Sequence, residues 1–176
     1  SSICKVKKLN NYNCFFMNEV EVIIGSHASI AALENPKRKI ISVKCTNDFY
    51  KRNISTMNKV KANLLKIVDR RILDEEIKSK VHQGVLIKCK KNNFNLDSIN
   101  KQEKIIVILD SLSDSQNVGS IIRSSFLFGI KSLIYNKDNS FELSPFLIKT
   151  SCGAYEKIKL IEVSNLSRTI SLLKKT

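Results

Sequence analysis

Apolar and polar positions along this chain group into short blocks that predict helices and strands in alternation. In the first half, a helix is expected over 26–33 with Ser26 as its N-cap, then a Pro-Lys-Arg-Lys turn at 36–39 and a strand at 40–44. A polar, Lys-rich stretch covers 47–61, and 63–68 fits either a strand or a short helix. Asp69 opens a turn into a helix with Asp74 near its start, and 85–89 alternates as a strand does. Residues 92–103 are polar without a long apolar run, which predicts a linker. Beyond it come a strand at 105–109, a helix at 118–128, a strand at 131–135, a helix at 145–151 and a strand at 157–163. Pro145 suits a first helical position with Ser144 as its cap, and Leu166, Ile170 and Leu173 recur at the spacing of a last helix.

This pattern indicates α/β layers in two units. A basic arm spans 1–20, a small α/β unit 21–91, the linker 92–103 and a parallel α/β unit 104–176. The three strands of the second unit are few for a sheet covered on both faces, so an unpaired edge and exposed apolar surface are expected.

Charge adds a partner class. The chain carries 30 Lys and Arg against 16 Asp and Glu, a net charge of +14. Residues 1–100 hold nineteen basic and nine acidic groups, whereas 101–176 hold eleven and seven. Such an excess fits a polyanion, because each neutralised phosphate releases counterions. Lysines that are merely solvated remain the alternative. Arg70, Arg71, Lys37 and Arg38 are the candidate phosphate contacts, and Tyr12, Phe15 and Phe16 can either stack on unpaired bases or staple the arm to the first unit.

Cysteines at 4, 14, 45, 89 and 152, with histidines only at 27 and 82, offer no paired metal-ligand spacing, so no metal site is expected. Scattered thiols of odd number suggest a reduced, cytoplasmic setting. No stretch approaches the ~20 apolar residues of a membrane span, and the start lacks a secretory h-region. An organellar address stays open.

The chemistry concentrates in the run Asp110-Ser-Leu-Ser-Asp114-Ser-Gln-Asn117-Val-Gly119-Ser-Ile-Ile-Arg123-Ser. It follows the apolar strand 105–109 as a polar turn that enters a helix, and open α/β sheets bind ligands beyond the carboxyl ends of their strands. With a helix beginning near Val118, Gly119 and Arg123 share one face. A guanidinium there can clamp a phosphate or assist a nearby hydroxyl. An ordinary βα unit with a surface Arg is the plain alternative.

The same residues resemble motif 1 of the SpoU (TrmH-like) RNA 2′-O-ribose methyltransferases. The resemblance extends to Phe128-Gly129-Ile130 and to Ser151-Cys-Gly153-Ala154. Upstream, Gly25-Ser-His27-Ala and His82-Gln83-Gly84 resemble the family's ribosomal-protein-like N-terminal RNA-binding domain. The resemblance implies a SPOUT-type parallel α/β methyltransferase fold, S-adenosylmethionine as methyl donor, and ribosomal RNA, favoured over transfer RNA, as partner. It implies Arg123 and Asn117 as catalytic residues. Asp110, Asp114, Gly119, Ser151 and Gly153 would shape the motifs, and His27, His82 and Gln83 would contact RNA, unless His27 is structural and His82-Gln83-Gly84 is simply a tight turn into the strand at Val85. Ser115 and Ser120 stand where the family usually has Pro and Ala.

The family's motifs 2 and 3, which form its cofactor-holding knot and much of its dimer interface, have no counterpart before Thr176. The resemblance thus implies a chain cut before its cofactor pocket, acting as part of a methyltransferase with doubtful activity alone, or surviving as a non-catalytic RNA-binding remnant. A homodimer or a complementing C-terminal fragment is the corresponding protein partner, and a membrane is not.

Overall fold

The computed structural model describes residues 19–138 and 140–174. The expected arm, with Tyr12, Phe15 and Phe16, lies outside them apart from its last two positions. No helix among the described residues is long and apolar enough to cross a membrane.

The first sheet runs β1 (Val20–Ile24), β4 (Val85–Lys90), β2 (Ile40–Cys45) and β3 (Leu65–Ile67) in that spatial order. β4 is antiparallel to both neighbours, with Ile23 opposite Ile87 and Val43 opposite Ile87 on the other side. The period of two buries Ile23, Val43, Cys45, Val85, Ile87 and Cys89 on one face. Helix α1 (Ser26–Glu34) covers that face through Ala28, Ser29 and Ala32, whose small side chains let helix and sheet approach.

Three features of this unit depart from the sequence pattern. β1 was not expected, because Glu21 interrupts its apolar run; the carboxylate is nevertheless 6% exposed, compensated by a buried Arg38. The polar 47–61 stretch contains helices α2 (Asn47–Arg52) and α3 (Ile54–Met57), anchored by fully buried Phe49 and Met57 and started by Thr46, whose hydroxyl accepts from the Phe49 N–H. Asp74 lies mid-helix in α4 (Arg70–Ile77), whose N-cap position is Asp69.

The second sheet is parallel throughout, in the order β5 (Val107–Leu109), β6 (Ser132–Asn136), β7 (Lys159–Val163). Its connections are α5 (Ser115–Leu127) and α6 (Pro145–Thr150), and α7 (Leu166–Leu173) follows β7. Local chemistry sets the helix starts: Asp114 accepts from the Gln116 N–H at 2.9 Å, Ser144 from the Leu147 N–H at 3.3 Å, and Asn165 from the Arg168 N–H at 2.8 Å. α5 therefore begins three residues before the Val118 expected from its apolar spacing. Ile105, Ile108, Phe126, Leu127 and Phe128 remain exposed, with Phe128 at 83%.

The polar segment 92–103 packs on this sheet. Phe94 bridges Ile161 beside β7, a short 3-10 turn spans Leu96–Ser98, and Glu103 accepts from Lys159 Nζ at 3.2 Å.

The units meet where α6 packs on β1 and α1 packs on the 3-10 turn Ala154–Glu156. A buried polar cluster sits there. Arg38 binds Glu21 and, through Nε, Glu156 at 3.2 Å; Asn35 donates to Glu156 at 2.8 Å. Its guanidinium also lies 5.8 Å from the Tyr155 ring centre. Arg38 was expected to contact phosphate. With its side chain fully buried between two carboxylates it joins the units instead.

Candidate nucleic-acid and methyl-transfer site

The site is built on the turn after β5. Leu109 is buried at the strand's end, and the chain reverses through exposed Asp110 and Ser111, the latter at φ 53° with its hydroxyl donating to Asp110. Asp114 then caps α5, so Asn117 is exposed on the first turn of that helix, beyond the strand's carboxyl end.

Gly119 sets how α5 meets α6. A Cβ there would lie 2.8 Å from the Thr150 Cβ and 3.1 Å from the Leu147 carbonyl oxygen, so only glycine permits this approach. One turn later Arg123 is exposed. It lines a cleft of about 540 Å³ together with His27, Phe126, Ser151, Gly153 and Lys157. Gly119 and Arg123 follow one another along the helix as expected, but the first is buried against α6 and the second reaches the cleft.

The opposite wall is the turn at 151–154. Ser151 is buried and donates to the Ile148 carbonyl at 2.6 Å, which ends α6. Gly153 adopts φ 87°, and its missing side chain leaves room for Ala31, whose Cβ would stand 2.9 Å away from an added Cβ. This glycine brings α1, and with it His27, to the cleft that holds Arg123. No carboxylate lines the cleft, whereas Arg123 and Lys157 both do. It can therefore attract an anion such as a phosphate.

Gln83 plays a different part from a plain RNA contact. At φ 57°, its side-chain oxygen accepts from the Ser26 N–H at 2.8 Å. It thus supplies the cap of α1, where Ser26 had been expected to cap; the actual N-cap position is Gly25, which has no side chain to offer. His82 is fully buried, so its part is structural, the alternative to a contact with RNA. Its Nδ1 accepts from the Gly84 N–H at 3.0 Å, so Nε2 bears the proton and donates to Asp74 at 2.8 Å. The imidazole holds the turn that presents Gln83.

Of the basic candidates, Arg70 is exposed in a separate cavity that Gln83 also lines. Arg71 and Lys37 are exposed outside both cavities. Lys157 and Arg52 line the cleft and that cavity respectively, and were not singled out from the sequence. Nothing in their local sequence separates them from other solvated cations.

The groove beside the carboxyl end of β7 is lined by the polar Asn95, Asp97, Glu162, Asn165 and Arg168 and by the apolar Leu96, Val163 and Leu172. Beside it, Leu96, Ile99, Ile106, Leu172 and Leu173 with Asp97, Lys101 and Glu103 line a cavity of about 620 Å³, an apolar slot with a few polar partners of the kind a nucleoside calls for.

Known proteins resemble the chain in both of its units. Residues 104–176 match the SpoU rRNA Methylase family, and residues 22–95 match the family described as RNA 2′-O ribose methyltransferase substrate binding. The chain is 32% identical over 164 residues to the 23S rRNA (guanosine-2′-O-)-methyltransferase RlmB of Escherichia coli K12, covering 87% of this chain and 67% of that protein. It is 30% identical to the protein of the same name from Pasteurella multocida, of which it spans 65%. The fold is similar to that of the SpoU methyltransferase AviRb from Streptomyces viridochromogenes, solved in complex with the cofactor AdoMet, with TM-score 0.74, 18% identity and coverage of 95% of this chain and 64% of that one. A Sinorhizobium meliloti rRNA methyltransferase, solved with AdoMet bound, gives TM-score 0.72 at 17% identity, covering 93% and 61%. The chain belongs to the SpoU rRNA methylase family.

Proposed function

We propose that this chain forms the RNA-holding and catalytic-arginine part of a methyltransferase that modifies the ribose 2′-hydroxyl of a guanosine in ribosomal RNA. Residues 21–91 hold the RNA, 92–103 connect, and 104–176 present the reacting hydroxyl. The observation that carries this reading is the shared cleft, in which Arg123 of the motif helix faces His27 of the first unit and the 151–154 turn. The substrate and activity are those named for the relatives.

A ribose 2′-hydroxyl is a poor nucleophile near neutral pH and must be hydrogen-bonded or deprotonated as it attacks. A guanidinium with a pKa above about 12 is a weak base by itself. Arg123 acts instead by fixing a backbone phosphate through its paired N–H groups and orienting the hydroxyl beside it, with the phosphate assisting proton removal. Lys157 adds a second positive charge that attracts the RNA backbone to the same cleft. Asn117, exposed at the start of α5, holds the loop and the substrate from the other end of the helix. S-Adenosylmethionine supplies the methyl group in the whole enzyme.

The test compares wild type with Arg123→Ala and Arg123→Lys for methyl transfer to ribosomal RNA. Both variants are expected to lose about 100-fold or more in rate, the scale of a positioned proton-transfer group, because Lys keeps the charge but not the fork. Full activity in either variant overturns the role of Arg123. A calorimetric titration of the 176-residue chain with S-adenosylmethionine reads the donor side: saturable binding near 1:1 would show a cofactor pocket within these residues.

A further inference from the structure

A second cavity, of about 520 Å³, opens at the end of the first sheet, where β2 and β3 stop and β4 starts. It shares no lining residue with the Arg123 cleft. Its size falls in the range of small-molecule sites. The wall from β3 and α4 carries Ile67 and Ile72, large apolar side chains that the fold leaves 53% and 43% exposed. Polar groups surround them. Arg52 lies at the end of α2 and Arg70 at the start of α4, on two different elements around the cavity. Arg52 donates one N–H to the Asp48 carbonyl at 3.3 Å, out of the five a guanidinium carries. Asp69 occupies the N-cap position of α4, yet its carboxylate does not cap the helix.

The cavity is separate from the Arg123 cleft but linked to it through neighbouring residues. Gln83 lines it while bonding to the Ser26 N–H, and the next residue, His27, lines the Arg123 cleft. Gln83, Ser26 and His27 thus form a continuous hydrogen-bonded and covalent link from one hollow to the other. Gly84 keeps the wall in place: a Cβ there would meet the Thr46 hydroxyl oxygen at 2.7 Å.

We propose that this cavity takes one unpaired nucleotide of the bound RNA, at a position other than the methylated one. The base lies on the Ile67–Ile72 face. Arg52 and Arg70 hold the flanking phosphates, and Asp48 and Asp69 accept from N–H groups on the base edge. Exposed apolar surface beside charged donors suits a nucleotide, whose base is flat and whose backbone is anionic, and unpaired bases are what proteins read in RNA. Two carboxylates select an edge with adjacent N–H donors. Guanine presents N1–H and N2–H side by side, whereas uracil sets its single N–H between two carbonyls and is disfavoured.

This inference rests on the RNA-holding role of the first unit, and the experiment separates the two. Fluorescence anisotropy with the 176-residue chain compares three hairpins of equal length: fully paired, with one bulged guanosine, and with one bulged uridine. The bulged-guanosine hairpin is expected to bind about tenfold tighter than the paired one, the scale of one bidentate base contact. The bulged-uridine hairpin is expected to fall between them. Arg70→Ala and Arg52→Ala are each expected to reduce this preference to under about twofold and to lower the salt dependence by about one phosphate contact. Both arginines are exposed, and a thermal melt confirms that the variants fold. Equal binding of all three hairpins, or a preference that both variants retain, overturns the nucleotide site and leaves RNA binding standing. Failure of every hairpin to bind overturns both.

Discussion

The Tyr155 hydroxyl donates to Glu21 Oε1 at 2.7 Å, a bond from the 3-10 turn of the second unit to β1 of the first that is buried from solvent. Burial keeps this phenol protonated, with its pKa far above the ordinary value, so it remains a donor across the working pH range. Arg38 completes the junction by binding Glu21 and Glu156 together. The cluster fixes α1 against the turn that follows Gly153, and hence His27 against Arg123.

Removing Arg38 leaves two buried carboxylates without their cation. Arg38→Met is expected to destabilise the chain by about 3–5 kcal/mol, the cost of breaking a buried ion pair from one side. Tyr155→Phe removes one hydrogen bond to a charged group and is expected to cost about 1.5–3 kcal/mol. Urea unfolding followed by circular dichroism gives both numbers; equal stability of Arg38→Met and wild type would contradict the junction's role.

Gly119→Ala tests the α5–α6 contact. Its Cβ would press on the Thr150 side chain at 2.8 Å and on backbone at 3.1 Å, so the helices must separate. A loss of about 1–3 kcal/mol is expected, as for other overpacked sites, measured as a lower midpoint in urea. Gly153→Ala adds a positive φ of 87° to a close approach and is expected to cost more.

The described thiols differ in reactivity. Burial pushes Cys45 and Cys89 up to about 11, whereas Cys152 is exposed. Alkylation at pH 8 with peptide mapping is expected to label Cys152 quickly and the other two only on unfolding. The raised values also set a pH effect. The unfolded thiols ionise near 9.0 and the folded ones near 11, so their contribution is complete below pH 9 and falls as pH rises through that window. Cys89→Ala is expected to show less alkaline loss than wild type.

Glu76 has the opposite sign. Hydrogen bonds from Lys44 and Lys88, each at 2.6 Å, hold its carboxyl below the usual carboxylate range. Its stabilisation is present above the unfolded value of 4.5 and is lost as pH falls through the lower folded value. Glu76→Gln is expected to cost about 0.5–1 kcal/mol at pH 7, as partly exposed pairs do, and nothing at low pH. A constant difference between pH 3 and pH 7 would rule the ion pairs out as its source.

Much of the second unit was legible in the chain itself. A β-branched run such as 105–109 next to a polar turn implies a strand, and Asp114, Ser144 with Pro145, and Asn165 mark helix starts through groups only two or three residues away. Motif 1 and the Ser151–Gly153 pair are likewise local, because the turns they form use their own backbone. Phe49 and Met57 were hidden among lysines, since two apolar residues in a polar stretch show no period.

Arg38, His82, Gln83 and Lys157 were decided by tertiary structure alone. From sequence, Arg38 is one more cation in a charged turn. Its burial follows from Glu21 and Glu156, which reach it from a strand at one end of the chain and a turn near the other. His82 is structural because Asp74 and the Gly84 N–H take both ring nitrogens, and Gln83 is a cap because α1 happens to start beside it. The cleft itself exists only where two units pack, with Gly153 making room for Ala31. Hydrogen bonds and apolar spacing within a few residues are written in the sequence; whether a charge ends in water, in an ion pair or in a binding cleft depends on distant groups that only folding brings within reach.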